Sequence, residues 1–191
     1  MRKIIGLTGP TGAGKSTVAK VARDRGITVI DCDKVAREEG KNAELQRLLI
    51  KEFGDDIVKN GDLDRPVLAK RAFASREKTE RLNKIMLPFI SRTIVGMVGD
   101  NVTLLDAPTL IESGLHKSCD AVISVLADEK LRRERILKRD NLSLQAAESR
   151  LSAAKDNSFF KSHSQYIIYN EGDINSLKQQ TEEILSGILE E

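Results

Sequence analysis

The segment Gly9-Pro10-Thr11-Gly12-Ala13-Gly14-Lys15-Ser16 constrains this chain more than any other, because its pattern binds phosphate only where a strand feeds it and a helix follows. Both flanks are present. Ile4 to Thr8 is a short apolar run ending in glycine, and Ser16 to Arg25 carries Val18, Ala19, Val21 and Ala22 at helical spacing. Gly12 and Gly14 permit torsions and close approach that a side chain forbids, so the N–H groups of Gly12, Ala13, Gly14, Lys15, Ser16 and Thr17 can converge on phosphate oxygens at the positive end of the helix. Lys15 would then reach the β- and γ-phosphates, Ser16 would offer a hydroxyl to magnesium, and Thr17 would approach the α-phosphate. The expected ligand is ATP with Mg²⁺. Pro10 contributes no N–H, but it precedes the stretch that must supply donors.

The rest of the chain reads as alternating strands and helices. Thr28-Val29-Ile30 completes a β-α-β unit, which a right-handed crossover makes parallel, with this second strand expected as the neighbour of the first. Val102 to Leu105 and Ala121 to Leu126 are continuous apolar runs of the kind buried on both faces, placed in the middle of the sheet, and Tyr166 to Tyr169 is a final strand. Between Asp33 and Met97 only helical patterns occur, broken at Gly54, Gly61, Pro66 and Pro88. Charged helices follow from Asp128 to Arg139 and from a Ser143 cap to about Ala154, with a last amphipathic helix opening at Asp173. The expected fold is α/β: a three-layer parallel sheet flanked by helices, as in P-loop nucleotide kinases. It is read as a single domain over 1–191, with core segments 1–33, 98–130 and 160–191, a helical insertion over about 34–97 and a further helical segment over about 131–159.

Composition narrows the partners. Lys and Arg total 31 against 29 Asp and Glu, a net charge of +2 that gives no ground to expect a nucleic acid or an anionic membrane as partner, so any basic site must be local. Cys32 and Cys119 form no metal or disulfide pattern and read as buried thiols, and His116 and His163 read as surface residues. A basic start meets Thr8 and glycines too soon for a signal peptide, and no apolar run reaches membrane-spanning length. A cytoplasmic protein is expected, acting on a small molecule.

A phosphate loop serves switches, ATPases, kinases and transferases alike, so the acidic residues must discriminate. Asp31 and Asp33 follow the second strand, where the carboxyl ends of parallel strands line a ligand crevice. Asp33 can orient an acceptor hydroxyl and take its proton; the alternative is that it caps the helix starting at Lys34. Asp106 ends a buried run, where a carboxylate can help Ser16 hold magnesium. Asp128, Asp140 and Asp173 suit caps or turns.

Over nearly its full length the chain resembles the dephospho-coenzyme A kinases. Ile5 to Gly9 with Gly12 to Thr17 is similar to their LTGGIGSGKS opening, and Val29-Ile30-Asp31-Cys32-Asp33-Lys34-Val35-Ala36-Arg37 to IDADxIAR. Leu63-Asp64-Arg65 resembles LDR, Leu82 to Ile90 resembles LNxIxHPxI, and Asp106 to Leu115 resembles DxPLLFExGL. Arg135 with Lys138-Arg139-Asp140-Asn141-Leu142-Ser143 resembles the lid motif. The resemblance implies transfer of a phosphoryl group from ATP to the ribose 3′-hydroxyl of dephospho-coenzyme A. It also implies a kinase domain whose 34–97 insertion binds the acceptor and whose 131–159 segment is a lid, with Asp33 as base, Lys15 and Arg139 on the phosphates, and Thr8, Asp33, Arg37 and Arg65 on the acceptor side.

Several positions depart from the family pattern. Pro10 and Thr11 replace Gly-Ile, Leu87 stands where His precedes Pro88, Thr109 replaces Leu, Ala154 replaces Gln, and Tyr169 replaces the Asp before Asn170. These departures keep two alternatives in view: a kinase for a nucleoside or nucleotide acceptor, and an ATP-binding module without catalysis. The Gly-Pro-Thr-Gly run is reminiscent of enzymes that prenylate transfer RNA, but no basic region here would hold RNA phosphates.

Overall fold

The computed structural model describes residues 2–140, 143–152 and 154–190. Two compact units divide the chain: Met1–Ile30 with Gly99–Glu112 and His116–Glu191, and Asp31–Val98 with Ser113–Leu115.

In chain order the first unit opens with β1 (Lys3–Thr8), α1 (Lys15–Asp24) and β2 (Thr28–Asp31). α1 ends in a Schellman motif: the N–H of Gly26, at φ 79°, reaches the Arg23 carbonyl and that of Ile27 reaches Ala22. The second unit holds α2 (Cys32–Glu39), α3 (Ala43–Phe53), β3 (Val58–Lys59), β4 (Asp62–Leu63), α4 (Arg65–Ala72) and α5 (Arg76–Met97). Side-chain oxygens of Asp31, Asn42, Asp64 and Ser75 cap its four helices in turn. Leu45, Leu49 and Phe53 of α3 bury against Leu68 of α4 and Phe89 of α5. The chain then returns to the first unit with β5 (Val102–Asp106), β6 (Ala121–Leu126), α6 (Glu129–Asp140), α7 (Leu144–Ser152), α8 (Asn157–Lys161), β7 (Tyr166–Tyr169) and α9 (Ile174–Glu190).

The main sheet runs β2-β5-β1-β6-β7, with β1 parallel to β5 and β6, and β6 parallel to β7. Alternation along the strands sorts two buried faces. Ile5, Leu7, Ile123, Val125 and Ile168 pack with α1 and α9 residues on one side. On the other, Leu126 and Ile167 meet Phe160 of α8. This is the expected layered α/β sheet.

Two expectations need correction. The 34–97 insertion is not wholly helical, because β3 and β4 pair as an antiparallel hairpin. Its turn residues, Asn60 at φ 54° and Gly61 at φ 85°, are the Asn-Gly pair that favours a two-residue hairpin loop. Nor is β2 the neighbour of β1, since β5 lies between them. That skipped strand makes β1 the point where chain direction across the sheet reverses, and such a switch point opens a crevice at the strand's carboxyl end.

Candidate active site

The loop after β1 occupies that crevice. Gly9, Gly12 and Gly14 all have positive φ, at 140°, 82° and 107°. A side chain at Gly14 would meet Asn170 Nδ2 at 2.3 Å, and one at Gly12 would press on the Arg132 carbonyl at 2.9 Å. The glycines are therefore needed for both torsion and space. Ala13 is fully buried, and its N–H closes a turn onto the Pro10 carbonyl at 3.1 Å. At Gly14, α1 begins with no side-chain cap and no acidic residue in its first turn, a helix start whose positive end favours an anion. Lys15 Nζ lies 3.5 Å from the Gly9 carbonyl, and Ser16 is exposed at the helix start.

Asp106 ends β5, in register with Leu7 of β1. Thr8, expected on the acceptor side, is fully buried and donates its hydroxyl to the Pro108 carbonyl at 3.1 Å. Its side chain thus ties the end of β1 to the segment after β5.

Lid residues join the loop around one cavity of about 550 Å³, where Gly9, Pro10 and Thr11 face Arg139, Arg150 and Lys155. α6 and α7 form a helical pair through buried Ile136, Ala147 and Leu151. Asp140 carries an unexpected role. It neither caps nor turns: its carboxylate takes two bonds from Arg139, at 2.6 and 2.9 Å, and one from Arg150 at 2.6 Å. These guanidiniums, Arg139 first, hold the Asp140 carboxyl below the usual aspartate range, and Asp140 in turn raises Arg139. A lowered folded value favours the ionised form, so this contribution is complete above the ordinary aspartate value of about 3.9 and is lost as pH falls through the depressed one. Asp140→Asn is expected to lower the melting temperature at pH 7, with the gap to the parent closing in acid; a gap unchanged by acid would show that the ion pairs contribute nothing. Asn141 and Leu142 of the lid motif lie outside the described residues. Ser143 caps α7 as expected, accepting from Ala146 N–H at 3.2 Å.

In the second unit Asp31, not Asp33, caps α2, accepting from Lys34 N–H at 2.9 Å. Asp33 stands exposed in the first turn. Arg37 and Arg65 come together: Arg65 donates to the Arg37 carbonyl at 3.2 Å, and both line a cavity of about 370 Å³ with Lys34 and Lys41. Four cations against two carboxylates, Glu38 and Asp62, leave this hollow with a positive excess that suits an anionic ligand.

Comparison with known proteins decides the family. A sequence profile described as dephospho-CoA kinase matches residues 3–176. This chain belongs to the dephospho-CoA kinase family. It is 33% identical over 183 residues to a dephospho-CoA kinase of Fusobacterium nucleatum, covering 94% of this chain and 95% of that one. It is also 33% identical to a dephospho-CoA kinase of Bacillus licheniformis, covering 97% and 96%. Among solved structures, a dephospho-CoA kinase from Campylobacter jejuni superposes with a TM-score of 0.68 at 25% identity over 98% of both chains. The parallel sheet and phosphate loop are those of this kinase family.

Three further polar residues beside the loop were not expected from the sequence. Asn170, after β7, donates from Nδ2 to the Ala13 carbonyl at 2.7 Å. Arg135 donates to the Asn170 carbonyl at 3.0 Å. Arg132 is buried, with Nε and Nη1 lacking protein partners and its guanidinium pKa pushed down by burial. A lone Asn after an apolar strand is a faint signal, Arg135 is marked only as part of the lid motif, and nothing in a charged helix separates Arg132 from solvated neighbours. Cys32 is buried as expected, whereas Cys119 is only partly so; burial, with Asp120 beside it, pushes the Cys119 thiol up to about 12, which disfavours the thiolate. His116 departs from the surface reading, being half-buried with a buried Nδ1.

Proposed function

We propose that this chain transfers the γ-phosphoryl group of ATP to the 3′-hydroxyl of the ribose of dephospho-coenzyme A, yielding coenzyme A and ADP. The observation that carries this reading is the family match over residues 3–176 in a chain that keeps the phosphate loop, Asp33 and Arg139.

In the proposed reaction the ribose oxygen forms the new bond to the γ-phosphorus while the bond to the β,γ-bridging oxygen breaks. Asp33 accepts the hydroxyl proton as the oxygen attacks. The N–H groups of Ala13 and Thr17 are engaged within the loop, on Pro10 and Gly14, so the amides of Gly12, Gly14, Lys15 and Ser16 with the Thr17 hydroxyl hold the phosphates, Lys15 lies on the β- and γ-groups, and Arg139 exchanges Asp140 for the transferring phosphoryl oxygens. Arg37 and Arg65 hold the anionic acceptor, supported by their shared cavity with Lys34 and Lys41. Buried Thr8 would serve the acceptor side by fixing the Pro108 segment.

Magnesium is part of the proposal. Ser16 and Asp106 supply a hydroxyl and a carboxylate, the oxygen donors this cation prefers, and no cluster of three or more His, Cys, Asp or Glu suited to a metal occurs among the described residues. That donor set fits an ion that keeps waters and takes phosphate oxygens. When bound, it neutralises charge on the β- and γ-phosphates. The work is proposed to take place in the cytoplasm on a small molecule; no helix among the described residues is long and apolar enough to cross a membrane.

ADP release measured with and without dephospho-coenzyme A, beside a panel of nucleosides and nucleotides, tests the reading. Release should depend on dephospho-coenzyme A, with a phosphorylated product seen by mass spectrometry. Release driven better by a nucleotide acceptor would overturn the acceptor assignment, and folded protein that binds ATP without any acceptor-dependent release would be a binding module.

A further inference from the structure

We propose that Asn170 is a positioning residue for phosphoryl transfer: it holds the Ala13–Gly14 peptide in the orientation that nucleotide binding needs, and Arg135 holds Asn170. The inference rests on the phosphate loop binding ATP.

A trans peptide is planar, with its carbonyl and its N–H pointing in opposite directions. The buried bond from Asn170 Nδ2 fixes the Ala13 carbonyl on one side at 2.7 Å, so the Gly14 N–H is fixed on the other. Were that peptide to flip, a carbonyl oxygen would replace a donor among the loop amides and face phosphate oxygens, lone pair against lone pair. Glycine torsions make such a flip easy. Gly14 has no Cβ to oppose rotation, and its φ of 107° lies in a region that glycine enters and leaves freely. The restraint must come from outside the loop.

Asn170 is built to supply it. The residue is 7% exposed, and its own N–H donates to the Leu126 carbonyl at the end of β6 at 2.8 Å. Arg135 Nη2 lies 3.0 Å from the Asn170 carbonyl and 3.4 Å from Oδ1, which orients the amide with its NH₂ toward Ala13. Close packing completes the clamp, since the space a Gly14 side chain would need is filled by Nδ2 itself. Arg135 lies one helical turn before Arg139 on α6, so the same helix supports the loop and carries a lid cation.

The test is Asn170→Asp in the full chain, with Asn170→Ala beside it. An ionised Asp is nearly isosteric with Asn but presents only acceptors, so it repels the Ala13 carbonyl and frees the peptide, and Arg135 beside it favours that ionised form. Nucleotide affinity is read with a fluorescent ATP analogue, and acceptor affinity with dephospho-coenzyme A. At pH 8 the Asp variant should bind the nucleotide at least tenfold more weakly than the parent, and KM for ATP should rise by the same factor while KM for the acceptor stays within twofold. Asn170→Ala, which offers no donor to the Ala13 carbonyl, should show a weaker nucleotide affinity of the same kind. Folded Asp variant with parental nucleotide affinity at pH 8 would overturn the proposal. So would equal losses toward both substrates, because general loosening would produce them. A parent protein that fails to bind the analogue would instead refute the nucleotide reading of the loop.

Discussion

Asp33→Asn should lower turnover by roughly 10² to 10⁴ while leaving ATP affinity within twofold of the parent, the range expected when a general base is removed. Asn keeps the shape of the side chain and can still hydrogen-bond an acceptor hydroxyl, but it cannot take up the proton. The structure makes this substitution unusually clean. Helix capping at the start of α2 belongs to Asp31, so Asp33→Asn leaves the cap intact and its effect cannot be ascribed to a frayed helix. Steady-state rates with saturating ATP, together with nucleotide binding by calorimetry, give the split. Turnover close to that of the parent would remove Asp33 as the base and shift attention to water or to the nucleotide's own phosphate as the proton acceptor.

The second large effect concerns stability. Gly9→Ala is expected to destabilise the protein by roughly 2 to 5 kcal/mol, combining left-handed torsion with a clash that backbone cannot relieve. Its φ is 140°, and a Cβ there would lie 2.2 Å from the Val125 carbonyl oxygen and 3.1 Å from the carbonyl carbon. Val125 sits in β6, paired to strands on both sides, so neither partner has room to retreat. Gly26 supplies the comparison. It too has positive φ, at 79°, but nothing lies within 4 Å of a Cβ placed there, so Gly26→Ala should cost only the torsional strain, about 1 to 2 kcal/mol. Urea unfolding of the two variants beside the parent measures both. Equal losses would mean that φ alone, and not the approach of β6, makes glycine necessary at position 9.

The legible parts of this molecule are those whose chemistry is local in sequence. The strand-loop-helix around Gly9 to Ser16 could be read because backbone torsion, helix start and Lys15 are all specified within a few residues, and the apolar runs of β5, β6 and β7 could be read because burial on two faces leaves no polar alternation. Ser143 and Asp173 were recognisable as caps for the same reason. What failed was either too short or too distant. β3 and β4 have two residues each, below the length at which alternation can be seen, although Asn60-Gly61 was a usable signal. The order of strands is not written locally, and the insertion of β5 between β1 and β2 depends on pairing across about a hundred residues. Asn170, Arg132 and Arg135 draw their importance from neighbours remote in sequence, and Asp140 looked like a turn residue because its second partner, Arg150, is a helix away.

The seating of the loop has a consequence for biosynthesis. Ile5 pairs with Leu104 on one side and with Ala121 on the other, and the last bond to Ala13 comes from a residue 157 positions later. Contacts of such long sequence separation close late, after their loop entropy has been met. A ribosome that has released only the first third of this polypeptide has therefore made every glycine of the nucleotide cradle and none of the walls that shape it. On the proposal that Asn170 orients the loop, firm grip on the triphosphate would wait for the seventh strand to dock, long after the glycines themselves have left the ribosome.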